Sequence, residues 1–356
     1  MPQPAVVFGG PSPEHDVSIL TGLQAARALG RPIALYWAKT GDFYEVDPGL
    51  EAGDFLDGPP RKATPVRLVA GEGFVGRKRP LDISAVVNCC HGGPGEDGTL
   101  QGALDLAGLR YTGPTAAGAA IGMDKLAFGN VVAAAGLPSL PRTVPAADGE
   151  PPSFPGPYIV KPRWGGSSIG IEVVEDDDTA RALLRSSPHL RAGAVVEPYL
   201  PDAVDLNVAV RTWPALELSA VEKPLRSTGG GILGFADKYL VGGNEGMASA
   251  PRELPADIPD ALEKQLREAA RVVAGLAGAR GVARIDFLLD GERLFVNEIN
   301  TVPGSLARYL WPELSFEQLL HDLLAEAEQR PTHHYTTAGA DGTALRSAGT
   351  IAGKLG

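Results

Sequence analysis

Two segments late in the chain carry the clearest chemistry. Arg284-Ile285-Asp286-Phe287 and Asn297-Glu298-Ile299-Asn300 lie on two apolar runs, Val282 to Leu289 and Leu294 to Ile299, joined by the hairpin signal Asp290-Gly291. Side chains alternate along a strand, so Arg284 and Asp286 share one face, as do Glu298 and Asn300. With a three-residue loop, Gly291 to Arg293, Asp286 falls opposite Glu298; a two- or four-residue loop breaks that pairing. Facing carboxylates repel unless a cation lies between them. Two carboxylates and an amide carbonyl are hard oxygen ligands suited to Mg²⁺, which also draws ligands from nucleotide phosphates. The alternative, a solvated polar sheet face, is disfavoured by the apolar Ile285, Phe287 and Ile299 interleaved with these residues.

A second group is the loop Gly165-Gly166-Ser167-Ser168-Ile169-Gly170, preceded by Lys161 at the end of the strand-like run Tyr158 to Val160. Glycines let backbone N–H groups approach phosphate oxygens, and serines add donors. Lys161 is placed to supply the counter-charge. No Gly-Lys-Ser/Thr follows, so this is not a P-loop. Taken alone, the loop also reads as a plain hairpin turn and Lys161 as a snorkelling surface lysine.

The elements that position these groups follow from periodicity. Ala5 to Phe8 is a short strand, Gly9 to Pro13 a Gly/Pro-rich turn, and Val17 to Gly30 a helical stretch. Ile33 to Trp37 and Leu81 to Cys90 are further strands; Gly41 to Lys78 reads as loops and weak edge strands. Both early Gly-rich loops, including His91 to Gly98, follow strands, where open α/β sheets carry their sites. Ala116 to Gly136 is helical, and Pro145 to Pro157 marks a boundary. Beyond it come strands at Ile171 to Val174, Val195 to Glu197 and Leu206 to Arg211, and helices at Thr179 to Leu184, Ile258 to Gly275 and Phe316 to Gln329.

Length and charge set limits. A chain of 356 residues exceeds one ordinary core, so two or three domains are expected. The net charge of -11 argues against nucleic acid as a partner. The adjacent Cys89 and Cys90 cannot frame a disulfide scaffold and read as strand residues. Val6-Val7-Phe8 is far shorter than a signal h-region and no stretch reaches membrane-spanning length, so a cytoplasmic protein is expected.

Six motifs in order resemble the D-alanine–D-alanine ligase family of the ATP-grasp superfamily. They are Gly9 to Ser18, His91 to Gly98 with Gln101-Gly102, Met123-Asp124-Lys125, Lys161-Pro162 with the Gly-Ser-Ser loop, Asp237-Lys238-Tyr239, and Arg284 to Phe287 with Asn297 to Gly304. The resemblance implies an N-terminal open α/β domain (1–118) and a two-lobed α+β ATP-grasp fold: a central lobe (119–222), a C-terminal lobe with metal and acceptor site (223–330), then a mobile tail (331–356). It implies ATP-dependent dipeptide formation through an acyl phosphate, for peptidoglycan precursors, with D-Ala and ATP as substrates and two Mg²⁺ ions, Mn²⁺ being an acceptable substitute.

The resemblance also implies roles. Glu14 orients the first amino acid's amino group, with His91 near that substrate. Lys125, Lys161, Ser168 and Lys238 serve ATP, with Glu197 at the adenine end. Ser167 links Tyr239 and Glu14 in a network that closes the site, and Lys238 and Tyr239 sit on a lid hinged at Gly229-Gly230-Gly231. Arg284 and the Gly304 N–H stabilise the oxyanion. Asp286, Glu298 and Asn300 hold the metal. Read singly, Glu14 suits a helix start and His91 a loop.

Two departures stand out. The family follows its Pro-Gly with Met-Thr and then a Ser for the second substrate's carboxylate; here Ser305-Leu306-Ala307-Arg308-Tyr309 follows, leaving Ser305 or Arg308 for that role. The family's ribose carboxylate lies seven residues after the adenine-end Glu, whereas Asp205 lies eight after Glu197. A ligase with a different acceptor, in secondary metabolism, and a non-catalytic nucleotide-binding protein on the same fold therefore stay open. The sequence permits a homodimer without specifying one.

Overall fold

The computed structural model describes residues 2–145, 150–225, 251–330 and 336–348. The first apolar run becomes β1 (Gln3–Gly9), buried from Ala5 onward because parallel strands covered on both faces need apolar side chains throughout. Next come α1 (His15–Ala28) and β2 (Ile33–Trp37). The 41–78 stretch is more ordered than expected. It adds three antiparallel strands, β3 (Phe43–Val46), β4 (Thr64–Val69) and β5 (Gly73–Val75), in which Val66 and Phe74 are buried. Short strands between Gly and Pro residues leave too few alternating positions for a clear period.

β6 (Ile83–Asn88) completes a six-stranded sheet of order β5-β4-β3-β2-β1-β6, with β1 parallel to both β2 and β6. The chain leaves β1 on one side and returns on the other, so the Gly-rich loops after β1 and β6 flank a topological switch point. After β6 follow the short α2 (Gly93–Glu96) and α3 (Thr99–Ala107).

The helix expected over 116–136 divides into α4 (Ala116–Met123) and α5 (Lys125–Ala134). Asp124 between them is extended, and its Oδ1 accepts from the Leu126 and Ala127 amides at 3.0 and 3.2 Å. Asp124 thus caps a new helix, a tertiary choice that the even Ala-rich pattern conceals.

β7 (Tyr158–Pro162), β8 (Glu172–Val174) and β9 (Ala194–Pro198) form an antiparallel sheet of order β8-β7-β9, covered by α6 (Asp177–Ser186) through Ala180. β10 (Val204–Arg211) and β11 (Glu217–Leu218) belong to a four-stranded sheet, and β12 (Lys223–Pro224) pairs with β13 (Arg252–Glu253) as a ribbon. α7 (Asp260–Leu276) precedes β14 (Val282–Asp290) and β15 (Arg293–Asn300), giving the order β11-β10-β14-β15. Leu266, Ala270 and Val273 of α7 pack on Val208, Ile285 and Phe287, as its amphipathic pattern requires. Fully burying such a side chain stabilises by roughly 2 kcal/mol.

α8 (Phe316–Gln329) returns to the first sheet, where Leu319, Leu320 and Leu323 share a core with Val6, Phe8 and Val87. Residues 316–329, which the sequence groups with the third segment, therefore tie the end of the chain to its beginning. A short α9 (Thr343–Arg346) lies in the tail. Among the described residues no helix is long and apolar enough to cross a membrane.

Candidate active site

The β14–β15 hairpin brings Asp286 opposite Glu298, but by a different route from the expected three-residue loop. Asp290 pairs with Arg293, so the connection is only Gly291-Glu292. Continued evenly, that register would set Asp286 against Asn297. A β-bulge between Asp286 and Phe287 absorbs Asn297 as an extra residue and restores the carboxylate pair.

Each carboxylate has a cation beside it. Arg284 donates from Nε to Asp286 Oδ1 at 2.6 Å and from Nη2 to Oδ2 at 2.7 Å, a bidentate pair. Burial would lower the guanidinium's pKa, but Asp286, then Tyr309 and Glu222, push it well above its ordinary value, so Arg284 stays charged. Asn300 Nδ2 donates to Asp286 Oδ2 at 3.0 Å, and Lys125 Nζ stands 3.6 Å from Glu298 Oε2.

The Gly/Ser loop closes over this group. Lys125 Nζ donates to the Gly165 carbonyl, and Ser167 donates to Glu14 Oε1. Ser167 and Ser168 both have left-handed backbones, φ 51° and 58°. Such conformations in residues other than glycine persist where the surroundings hold them, often at functional sites.

Behind the loop lies a buried ion cluster. Glu197 is wholly inaccessible; Lys161 Nζ donates to its Oε2 and Arg142 Nε to its Oε1, both at 2.8 Å. Burial would raise the Glu197 carboxyl's pKa, but Lys161 and Arg142 more than offset it and hold it below the usual value. Arg142 also donates to the carbonyls of Lys125 and Asn297, each at 2.5 Å, and Lys161 reaches Asn297 Oδ1 at 3.3 Å. The bulge therefore aims both carbonyl and side chain of Asn297 into the cluster.

A third layer joins α1 to the segment after β15. His91 Nδ1 lies 2.7 Å from the Val302 carbonyl and Nε2 2.8 Å from Thr21 Oγ1. A carbonyl only accepts, so Nδ1 carries the proton and Nε2 accepts from the threonine. Burial pulls the ring's pKa down to about 4, with Arg284 adding to the fall, and the histidine is neutral at neutral pH. Glu96 accepts from the Gly92 amide at 3.0 Å and the Val302 amide at 2.9 Å. Its pKa is pushed up to about 7, by burial first and the Glu14 charge second.

Glu14, His91, Ser167, Arg284, Glu298, Asn300 and Gly304 thus meet around one cleft, to which Glu96 also contributes. The cleft continues past Met123, Lys125, Gly165 and Gly166. Lys161 and Glu197 sit in the ion cluster beyond. Asp205 is paired with Leu288 in the sheet. Lys238, Tyr239 and the 229–231 glycines lie outside the described residues.

Neither acceptor candidate lines the cleft. The Ser305 amide donates to Thr21 Oγ1 at 3.2 Å and its hydroxyl to Gln24 Oε1 at 3.3 Å, while Arg308 reaches the Trp311 carbonyl at 3.4 Å. Ser305, Leu306 and Ala307 form a left-handed turn, φ 48–50°, whose Leu306 and Ala307 are buried. This turn presents Tyr309 to the site: Arg284 Nη1 donates to its hydroxyl at 3.3 Å, and Arg252 lies 4.3 Å over its ring.

Sequence reading assigned no role to Glu96, Arg142, Asn297 or Tyr309. Glu96 and Asn297 fall inside quoted motifs, which was the available signal. Arg142 had none, since only the fold brings it to Glu197.

Among the described residues no group of three or more His, Cys, Asp or Glu is arranged to hold a metal ion. Two carboxylates and an amide make a lean donor set, matching a cation that takes its remaining ligands from phosphate oxygens and water.

Known proteins resemble this chain in sequence and fold. The family profiles "D-ala D-ala ligase N-terminus" and "D-ala D-ala ligase C-terminus" match residues 3–114 and 150–325. A D-alanine–D-alanine ligase of Acidiphilium cryptum is 33% identical over 88% of this chain and 92% of its own length. One from Nitratiruptor is 30% identical over 90% and 92%. The crystal structure of D-alanine–D-alanine ligase from Helicobacter pylori superposes with a TM-score of 0.75 at 22% identity, covering 93% of this chain and all of that one. The VanG D-Ala:D-Ser ligase of Enterococcus faecalis gives 0.73 at 24%, covering 92% and 99%; these two likenesses establish the ATP-grasp type of fold. With both profiles matched in order and relatives aligned along nearly their full length, the chain belongs to the D-alanine–D-alanine ligase family.

Proposed function

We propose that this chain joins two D-alanine molecules at the expense of ATP, in the cytoplasm, to supply a peptidoglycan precursor. The observation that carries this reading is the cross-strand pair Asp286 and Glu298, set with Arg284 and Lys125 around a cleft that Glu14 closes from the other side. The division into 1–118, 119–222 and 223–330 is retained as the functional arrangement, with the cleft where the three meet.

An amino-acid carboxylate is a poor electrophile until phosphorylated. Lys125 and Lys161 hold and neutralise the nucleotide phosphates, a positioning and electrostatic task. Asp286, Glu298 and Asn300 hold Mg²⁺, which when bound neutralises phosphate charge. Glu14, braced by Ser167, orients the first substrate's ammonium. Arg284, fixed by Asp286, faces the carboxylate that becomes the tetrahedral centre, with the Gly304 N–H beside it. Preorganised donors of this kind are worth roughly 3 kcal/mol each. Neutral His91 and Glu96, whose pKa of about 7 leaves it about half protonated at neutral pH, buttress the substrate wall.

One observation favours a second reading. Ser305 and Arg308, the residues expected to grip the acceptor's carboxylate, are bonded to Gln24 and to the Trp311 carbonyl instead, which leaves room for an acceptor other than D-Ala. ADP release across a panel of D- and L-amino acids, with Mg²⁺, Mn²⁺ or chelator, separates the readings. Turnover with D-Ala alone supports the first; turnover only with other acceptors or mixtures supports the second. Nucleotide binding without turnover points to a non-catalytic protein. Glu298→Gln should abolish metal-dependent turnover while leaving the melting temperature near that of the parent; full activity in it removes the metal assignment.

A further inference from the structure

The cluster behind the Gly/Ser loop poses a charge problem. If Lys161 is to serve a nucleotide phosphate, it must give up at least part of its bond to Glu197 Oε2. Glu197 is entirely buried, and a buried carboxylate stripped of its only cation is strongly destabilised. Left as a two-member pair, Lys161 would stay where it is.

Arg142 removes that obstacle. It binds the other oxygen, Oε1, so the two cations do not compete for one acceptor. Its remaining nitrogens are fixed on the carbonyls of Lys125 and Asn297. Its side chain is 3% exposed, and none of these partners is solvent. Arg142 therefore has no reason to move when Lys161 does. We infer that Arg142 is a positioning residue: it stays as the standing counter-ion of Glu197 and thereby releases Lys161 to the nucleotide. The same guanidinium ties together the residue that begins α5, the β9 carboxylate and the β15 bulge, so the phosphate lysine and the metal hairpin are referenced to one rigid group.

This inference rests on the reading that Lys161 binds ATP phosphate, and the test separates the two. The dissociation constant of a non-hydrolysable ATP analogue with Mg²⁺ is measured by calorimetry for the full chain and its variants, each checked for folding by melting. Arg142→Met should weaken binding on the order of 100-fold, the scale of leaving a buried charge uncompensated. In a Glu197→Gln background, where no carboxylate needs a partner, the same Arg142→Met change should cost less than about threefold. A purely structural role through the two carbonyls predicts the same loss in both backgrounds, and that result overturns the inference, as does wild-type-like binding by Arg142→Met. Should Arg142→Met fail to fold, Arg142→Lys decides. It keeps the charge and loses the carbonyl bonds, so near-native binding supports the inference and a 100-fold loss, on the same scale, refutes it. No analogue binding by the unmodified chain removes the nucleotide reading itself and the inference with it.

Discussion

Replacing Gly92 with alanine should damage catalysis in a protein that still folds. The residue sits at φ 61° and ψ 172°, a region open almost only to glycine. Forcing alanine there costs about 1–3 kcal/mol of folding free energy. The added Cβ would stand 2.1 Å from Glu14 Oε2 and 2.8 Å from Ser12 Oγ, closer than the 3.0 Å that real Cβ contacts respect. The Glu14 carboxylate, at the end of a flexible side chain, can retreat cheaply, but it must move by about 1 Å, and a displacement of that size in a positioned group costs on the order of 100-fold in rate. The assay is ADP release at varied D-Ala beside thermal melting. The expected result is a folded protein with kcat/KM lowered about 100-fold. Gly102→Ala in α3 is the control: its Cβ meets nothing within 4 Å. It should gain about 0.5–1 kcal/mol and keep full activity. Unchanged kcat/KM in Gly92→Ala would refute the role given to Glu14.

Two further outcomes are expected. Glu96, with a folded pKa of about 7 against an ordinary 4.5, binds its proton more tightly in the folded state, so its stabilising contribution is whole below pH 4.5 and is lost as pH rises to about 7. At about 1.4 kcal/mol per pH unit that interval is worth roughly 3 kcal/mol. Urea unfolding of the parent and Glu96→Gln should show their stability gap changing across that window; a pH-independent gap rules the linkage out. Tyr309→Phe keeps the ring under Arg252 and removes the hydroxyl from Arg284. It should lower kcat/KM for the second amino acid on the order of tenfold, the scale of one hydrogen bond to a charged group, with little change in melting temperature; equal kinetics would show that the hydroxyl has no part in the acceptor site.

By itself the sequence determined the family, most of the principal elements and the residue types at the cleft. Val282 to Phe287 alternates openly, the continuous apolar run Ala5 to Phe8 marks a strand buried on both faces, and short motifs place Glu14, Ser167, Arg284 and Glu298 on defined turns and strands. The facing of Asp286 and Glu298 was legible too, although the reason was not. A two-residue turn and a bulge at Asn297 produce the register that a three-residue loop would have given, because register depends on the whole ladder and not on loop length alone. Tertiary structure alone decided that Arg142 guards Glu197, fifty-five positions away, and that α8 returns to the first sheet. It also decided that the segment after Gly304 turns Ser305 toward α1 and offers Tyr309 to Arg284 instead. Buried charges and strained turns are set by partners distant in the chain, whose approach leaves no period in the sequence.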